Sequence, residues 1–256
     1  MKKLKLLLSN SFFLILIYFI GDYMYKFIAH RGNDDDLAEN SKEAILNSLS
    51  KPYIDGVEFD IRITKDNKFV INHNATINLN SNKIGTIKNM TLKQLKEVKF
   101  KNHNKVYRIA TLNEVLKQIK NDKIIIIEIK EEKNYNTYQK KKLLKLLKKY
   151  SYLNIYLTSF NYDLITDLKK DYSNCGLLVG KVLNRNKDIY VFPFLLIPLD
   201  FYEKYEGIQQ LFIWTIDSPK KLKEISDDCY IITDKAFLLH FSTVGLILII
   251  VWFLFT

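Results

Sequence analysis

The chain has 256 residues, 48% of them apolar and 26% charged, with a formal net charge of +11. That balance excludes a disordered chain and allows one large domain or two small ones around a buried core. The charge comes from dispersed lysines, with only Arg31, Arg62, Arg108 and Arg185 as arginines. This argues against a dedicated nucleic-acid surface; the lysine excess reads either as the compositional bias of an AT-rich genome or as attraction to an anionic surface such as a membrane.

In chain order, Met1-Lys2-Lys3 opens on LKLLLSNSFFLILIYFIGDY. Its apolar run, from about Leu6 to Ile20, is interrupted by Ser9, Asn10 and Ser11. Residues 1–24 read as a membrane anchor or an uncleaved signal, because no small-x-small cleavage site follows. A strand, KFIAHRG, leads to a helix beginning near Glu39. GVEFDIRI is the next strand, extended by KFVINH after a turn. Residues 75–110, rich in Asn and Lys, show no regular period. Helix TLNEVLKQIKN follows, with Thr111 and Glu114 forming a capping box. Strand KIIIIEIK precedes helix YQKKKLLKLLKKY, whose leucines line an inner face and whose lysines face water or an anionic bilayer.

Strand NIYLTSF, helix YDLITDLKKDY and strand CGLLVG come next, then an apolar piece, FPFLLIPLDF. Strand LFIWTID runs into helix SPKKLKEIS, with Ser218 as cap and Pro219 at the first helical position, and CYIITD is the last strand. Cys175 and Cys229 start two different strands outside any metal or redox motif, and read as buried thiols. About eight strands alternating with helices, with no linker between them, predict an α/β fold: one (β/α)8 TIM barrel over residues 25–236. The final stretch, residues 237–256, carries no formal charge and is long enough to span a bilayer. It reads as a C-terminal transmembrane helix, the alternative being a buried terminal helix. The barrel is thus expected to be flanked by hydrophobic N- and C-terminal membrane segments.

Barrel enzymes take their catalytic side chains from the C-terminal ends of the strands. His30 and Arg31 end the first strand; Glu58 and Asp60, two apart, share a face of the second. His73 ends its extension, Glu128 and Lys130 end the next, and Asp217 and Asp234 follow two later strands. Three carboxylates converging on one pocket repel unless a cation lies between them, and oxygen-only ligands suit Mg²⁺ or Ca²⁺ rather than zinc. Histidines beside them offer acid–base chemistry, and Arg31 and Lys130 offer charge for an anionic substrate. The set suits phosphoryl transfer. Each residue also has a plainer reading: Arg62 paired with Asp60 in an internal salt bridge, His30 a satisfied core histidine.

IAHRGNDDDLAENSKEAI resembles the His-Arg-Gly … Glu-Asn-Thr opening of the glycerophosphodiester phosphodiesterase family. GVEFDIRITKDNKFVINHN resembles that family's Glu-x-Asp … Thr-x-Asp … His-Asp segment. MTLKQLKEV, IATLNEVL, IIIEIK, IWTID and IITDKA follow in the family's order, across roughly residues 27–236. The resemblance implies a metal-dependent phosphodiesterase on a TIM barrel. Glu58, Asp60 and Glu128 would hold the divalent cation, and His30 and His73 would be the acid–base pair. Arg31 and Lys130 would grip the phosphate, with Trp214 also on the substrate. Glu39 and Asn40 match a Glu-Asn pair that organises the site. Two departures stand out: His73-Asn74 replaces His-Asp, removing a possible carboxylate partner of the base, and ATINLN lacks the family's following arginine.

The implied substrates are glycerophosphodiesters or lysophospholipids. Alternatives are a phospholipase C- or D-like activity on intact phospholipids, and a catalytically weak lipid-binding barrel. Membrane lipid is the expected partner. Lys2, Lys3 and Lys5 tip the expectation toward an extracytoplasmic barrel, while Lys220, Lys221, Lys223 and Lys235 argue the reverse.

Overall fold

The computed structural model describes residues 25–240 apart from 34–35, 80–83, 103–104, 181–188, 190, 206–209 and 227. Eight parallel strands close on themselves. They are β1 (Lys26–Ala29), β2 (Gly56–Ile63), β8 (Ile124–Ile129), β9 (Asn154–Ser159), β10 (Cys175–Leu178), β11 (Phe194–Pro198), β12 (Gln210–Trp214) and β13 (Tyr230–Thr233). Closure comes from β1, which pairs with β13 along its whole length and with β2 through Ile28↔Gly56 and Ala29↔Val57. The predicted TIM barrel is therefore observed. The apolar piece FPFLLIPLDF supplies β11.

Two-residue alternation sorts the side chains into two cores. Facing inward are Ile28, Ile126, Phe194, Leu196, Phe212 and Ile232. Facing outward, Val57, Phe59, Ile61, Ile125 and Ile127 meet helix residues such as Ile45, Leu112, Val115, Leu143 and Leu147. Each such side chain, fully withdrawn from water, contributes about 1.5–3 kcal/mol. The parity of β2 decides the site: with Phe59 and Ile61 outward, Glu58 and Asp60 must point in. Register then sets Asp60 directly opposite Glu128.

Local sequence closes the helices as expected. Thr111 and Glu114 form the capping box on Leu112–Leu116, and Ser218 caps Pro219–Leu222. The leucine stripe of Thr137–Lys149 buries Leu143 and Leu147, so its inner face is barrel core. Cys175 and Cys229 are both buried and outside any disulfide.

The irregular region, 75–110, contains more structure than its sequence showed. β3 (Phe69–Ile71) runs antiparallel to the last three residues of β2, past the point where β1 stops. Two small hairpins follow, β4 (Thr76–Asn78) with β5 (Ile84–Thr86), and β6 (Phe100–Asn102) with β7 (Lys105–Tyr107). Between them lies a helix, Leu92–Glu97, with a Thr91–Gln94 capping box. Val70, Ile77, Ile87, Leu95, Val98 and Ile109 give this excursion its own core. Three-residue strands are too short to display a period, which is why no pattern was visible.

Among the described residues no helix is long and apolar enough to cross a membrane. The N-terminal anchor or signal (1–24) and residues 241–256 of the predicted C-terminal transmembrane helix lie outside the described residues. The start of that last segment is described. Residues 236–240 are helical, Leu239 is fully buried in the outer core, and the His240 ring lies against Phe27 and Tyr53. The described start of the segment is thus a helical turn docked on the barrel.

Candidate active site

The site grows from the turn that ends β1. His30, Arg31 and Gly32 form one tight turn in which Arg31 (φ 52°) and Gly32 (φ 64°) are both left-handed. At Gly32 a side chain is barred twice, by φ and because a Cβ would lie 2.7 Å from the Ile45 nitrogen. The turn folds Arg31 back over β2. Its backbone N–H donates to Glu58 Oε2 at 3.1 Å, and its guanidinium reaches both oxygens of Glu39 at 3.0 and 3.1 Å. Its Nε lies 3.6 Å from Asp60 Oδ2.

Asn40, also left-handed at φ 56°, locks Asp60 from the other side. Its Nδ2 donates to Asp60 Oδ2 at 2.8 Å, and its Oδ1 accepts from the Asp60 backbone N–H at 3.0 Å. Glu39 thus holds the Arg31 guanidinium and Asn40 holds Asp60.

Glu58, Asp60 and Glu128 are all buried and can each offer an oxygen within 4.8 Å of the others. Lys130 Nζ lies 3.2 Å from Asp60 Oδ1 and 2.8 Å from Glu128 Oε1, which offsets part of the negative charge. The offset is incomplete. Burial, then the Asp60 and Glu128 charges, hold the Glu58 carboxyl well above the usual carboxylate range. Burial, then Asp60, pushes Glu128 up to about 7. Three buried carboxyls under that strain fit a hard divalent cation such as Mg²⁺ or Ca²⁺, which would relieve the repulsion and satisfy oxygen donors alone.

Arg62, whose role the sequence left open, is settled by geometry. Its Nε donates to the His73 carbonyl at 2.8 Å, and Nη1 to the Lys130 carbonyl at 2.9 Å. Among the described residues it makes no salt bridge to Asp60; it ties the His73 loop to the end of β8. His73 Nδ1 is 3.0 Å from Asn74 Oδ1, so the amide oxygen takes the place of the missing carboxylate as acceptor. Burial lowers the His73 pKa below 6.5, with Lys130 and Arg31 adding to the effect, while the Asn74 bond and the Asp60 charge oppose it.

His30 Nδ1 is 2.9 Å from Asp234 Oδ1 at the end of β13. Burial, the largest single effect, would raise the Asp234 carboxyl, but the His30 hydrogen bond and charge, the Asn33 hydrogen bond and the Arg31 charge together outweigh it and leave the group below its usual value. Asp217 accepts from Thr233 Oγ1 and the Asp234 N–H, so it supports Asp234 from outside the mouth.

A cleft of about 210 Å³ gathers His30, Arg31, Glu58, His73, Glu128, Lys130 and Trp214. Asp60 sits just beneath it, 1% exposed. All eight site residues read from the sequence thus fall in one place. The Trp214 Nε1–H is buried and makes no hydrogen bond among the described residues, leaving a donor for a ligand. Sequence reasoning missed Phe160, which is 49% exposed on the cleft wall. Its ring lies edge-on to Trp214 at 6.3 Å and 5.9 Å from Lys130 Nζ. An aromatic closing NIYLTSF at a catalytic rim was the available signal.

The Glycerophosphoryl diester phosphodiesterase family profile matches residues 30–191. A glycerophosphodiester phosphodiesterase of Caldanaerobacter subterraneus subsp. tengcongensis is 29% identical over 77% of this chain and 88% of its own. The crystal structure of the glycerophosphodiester phosphodiesterase from Thermotoga maritima superposes with a TM-score of 0.64 at 25% identity. It covers 84% of this chain and 96% of that one. An Oleispira antarctica phosphodiesterase in complex with the product sn-glycerol-3-phosphate shares the fold, with a TM-score of 0.65 at 19% identity, covering 85% of this chain and 96% of that one. On the profile match, and with the family's carboxylates, histidines and cations meeting at one barrel mouth, the chain belongs to the glycerophosphoryl diester phosphodiesterase family of phosphoric diester hydrolases.

Proposed function

We propose that this enzyme hydrolyses glycerophosphodiesters, and lysophospholipids among them, to an alcohol and glycerol phosphate or lysophosphatidate. The observation that carries the reading is the single cleft in which the Glu58–Asp60–Glu128 triad meets His30, His73, Arg31 and Lys130. The product bound by the Oleispira relative, sn-glycerol-3-phosphate, supports the same reaction here.

A divalent cation held by Glu58, Asp60 and Glu128 would supply Lewis acidity toward a phosphoryl oxygen. Arg31 and Lys130 hold the phosphate and offset charge gained as the new bond forms. His73, with its Nδ1–H donated to Asn74, keeps a lone pair on Nε2 and takes the proton of the attacking water or substrate hydroxyl. His30, held through Nδ1 by Asp234, delivers a proton from Nε2 to the leaving alkoxide. One P–O bond forms and one breaks: His73 gains a proton on the attacking side and His30 loses one on the leaving side, and where the substrate hydroxyl attacks, water then opens the cyclic phosphate by the same exchange in reverse. Trp214 and Phe160 line the approach for the remainder of the substrate.

Action at a membrane is part of the proposal. It is supported by the apolar stretches in residues 1–24 and 237–256, above all the run Gly245–Phe255. Lys2, Lys3 and Lys5 support an extracytoplasmic barrel.

The test is purified full chain against glycerophosphocholine, glycerophosphoethanolamine and lysophosphatidylcholine, with and without EDTA, and with products identified. Glu58→Ala and His30→Ala should each abolish turnover. Near-normal rates in either variant, with metal binding shown intact, would refute the site. Full activity on soluble diesters with none on lysophospholipid would remove the lipid substrate from the proposal.

A further inference from the structure

The helix Thr137–Lys149, between β8 and β9, carries six lysines and no carboxylate. Lys140 is taken up by Asp167 and Asp171, at 2.9 and 2.8 Å. Lys142, Lys145 and Lys149 fall at spacings of three and four, on one face. Together with Lys68, from the turn before β3, they rim a groove of about 560 Å³. Its floor is apolar: Phe69, Leu92 and Leu146. None of these four lysines is paired with a carboxylate among the described residues. Of the nearby acids, Glu114 pairs with Lys96 at 2.6 Å and Asp66 accepts from the Leu92 N–H at 2.9 Å, while Lys149 Nζ donates at 3.4 Å to the neutral amide oxygen of Asn113.

Tyrosines bracket the stripe. Tyr138 at the mouth end is 61% exposed, and Tyr152, in the turn after the helix, is 65% exposed. Large half-apolar rings left in water at both ends of a lysine row are the side chains that settle at a bilayer's polar boundary. Lysine stems cover apolar depth while their ammonium groups reach lipid phosphates.

We infer that this face docks flat on an anionic phospholipid bilayer, with lipid phosphates on Lys68, Lys142, Lys145 and Lys149 and acyl-glycerol carbon over the apolar groove. The choice of a bilayer over an acidic protein rests on the linear stripe with a tyrosine at each end, which matches a plane better than a folded partner. The helix runs antiparallel to the strands, so docking lays the barrel axis along the membrane. Tyr138 and the catalytic mouth then lie at the same interface. The inference goes beyond the hydrolytic reading and does not depend on it.

The test reads orientation, so it holds whatever the hydrophobic ends do. An environment-sensitive fluorophore is placed on full-length protein at Tyr138→Cys and, on the opposite side of the barrel, at Glu224→Cys. The native cysteines are buried. The protein is bound to vesicles of phosphatidylcholine alone or mixed with phosphatidylglycerol. The label at 138 should blue-shift and be quenched by doxyl-labelled lipid only when phosphatidylglycerol is present; the label at 224 should not respond.

Reversing Lys142, Lys145 and Lys149 to Glu should abolish that response. It should also weaken binding to phosphatidylglycerol vesicles by at least about 100-fold, about fivefold for each lysine lost before the repulsion of the added carboxylates. Turnover of glycerophosphocholine should stay unchanged, which also shows that the variant is folded. A label at 138 that stays as water-exposed as the one at 224 overturns the inference, as does a response that survives charge reversal. Recruitment by an acidic protein without any lipid response overturns it too.

Discussion

His30 and Asp234 are 204 residues apart in the chain and 2.9 Å apart in space. The parallel pairing of β1 with β13 makes this possible, since Ala29 lies opposite Thr233 and the next residue of each strand enters the mouth together. The carboxylate fixes the ring through Nδ1, and in the proposed mechanism Nε2 serves the leaving group. Asp234→Asn keeps an acceptor and removes only the charge. It should lower kcat on the order of 10- to 100-fold, a large part of a general acid's contribution, with KM within about twofold. Steady-state kinetics on glycerophosphocholine check this; an equal rise in KM with kcat intact would assign Asp234 to binding instead.

Asn74 makes a prediction about pH. Burial already holds His73 below 6.5, so it stays neutral, and able to accept a proton, into mildly acidic solution. The acid limb of kcat/KM should therefore lie below pH 6.5. Asn74→Asp places a carboxylate on Nδ1, favours the imidazolium, and should move that limb upward by about one unit. A pH–rate profile of both proteins measures it, and an unmoved limb would remove His73 from the base role.

The acidic triad predicts how stability depends on pH and metal. Free of metal, Glu128 titrates near 7 and Glu58 well above the 4.5 of an unstrained glutamate. A carboxyl raised in the folded state contributes stability below its unfolded pKa and loses it as pH rises through the folded one. Metal-free Tm should thus fall from about pH 4.5 to about pH 7 through Glu128, with Glu58 adding to the fall, and saturating Mg²⁺ or Ca²⁺ should flatten the slope. Glu128→Gln should also flatten it and raise the metal-free Tm at the alkaline end, while abolishing turnover. Thermal melts with and without EDTA decide the matter; a metal-free Tm that rises over this interval would mean the three carboxyls do not repel as described.

Much of this protein was legible in residue order. The period of two in GVEFDIRI sends Glu58 and Asp60 to one face because successive strand side chains must alternate. The capping residues Thr111 and Ser218 mark helix starts because an uncapped N-terminus leaves donors unsatisfied. The partners of those residues were less legible. Arg62 sits on the carboxylate face of β2, two residues past Asp60, yet its guanidinium binds the carbonyls of His73 and Lys130. That follows from β3 folding back along the end of β2, a pairing of three residues with no period of its own.

The sequence by itself determined the barrel and, Phe160 apart, the charged groups, histidines and Trp214 at its mouth. Alternation, strand length and helix capping are local properties, set by a residue and its near neighbours. Only the tertiary structure decided which groups touch. Closure of β1 on β13 joins His30 to Asp234, register across β2 and β8 sets Asp60 against Glu128, and a left-handed turn brings Arg31 over both. Those contacts depend on pairing between distant segments, whose register comes from packing the whole core and not from any one stretch of residues.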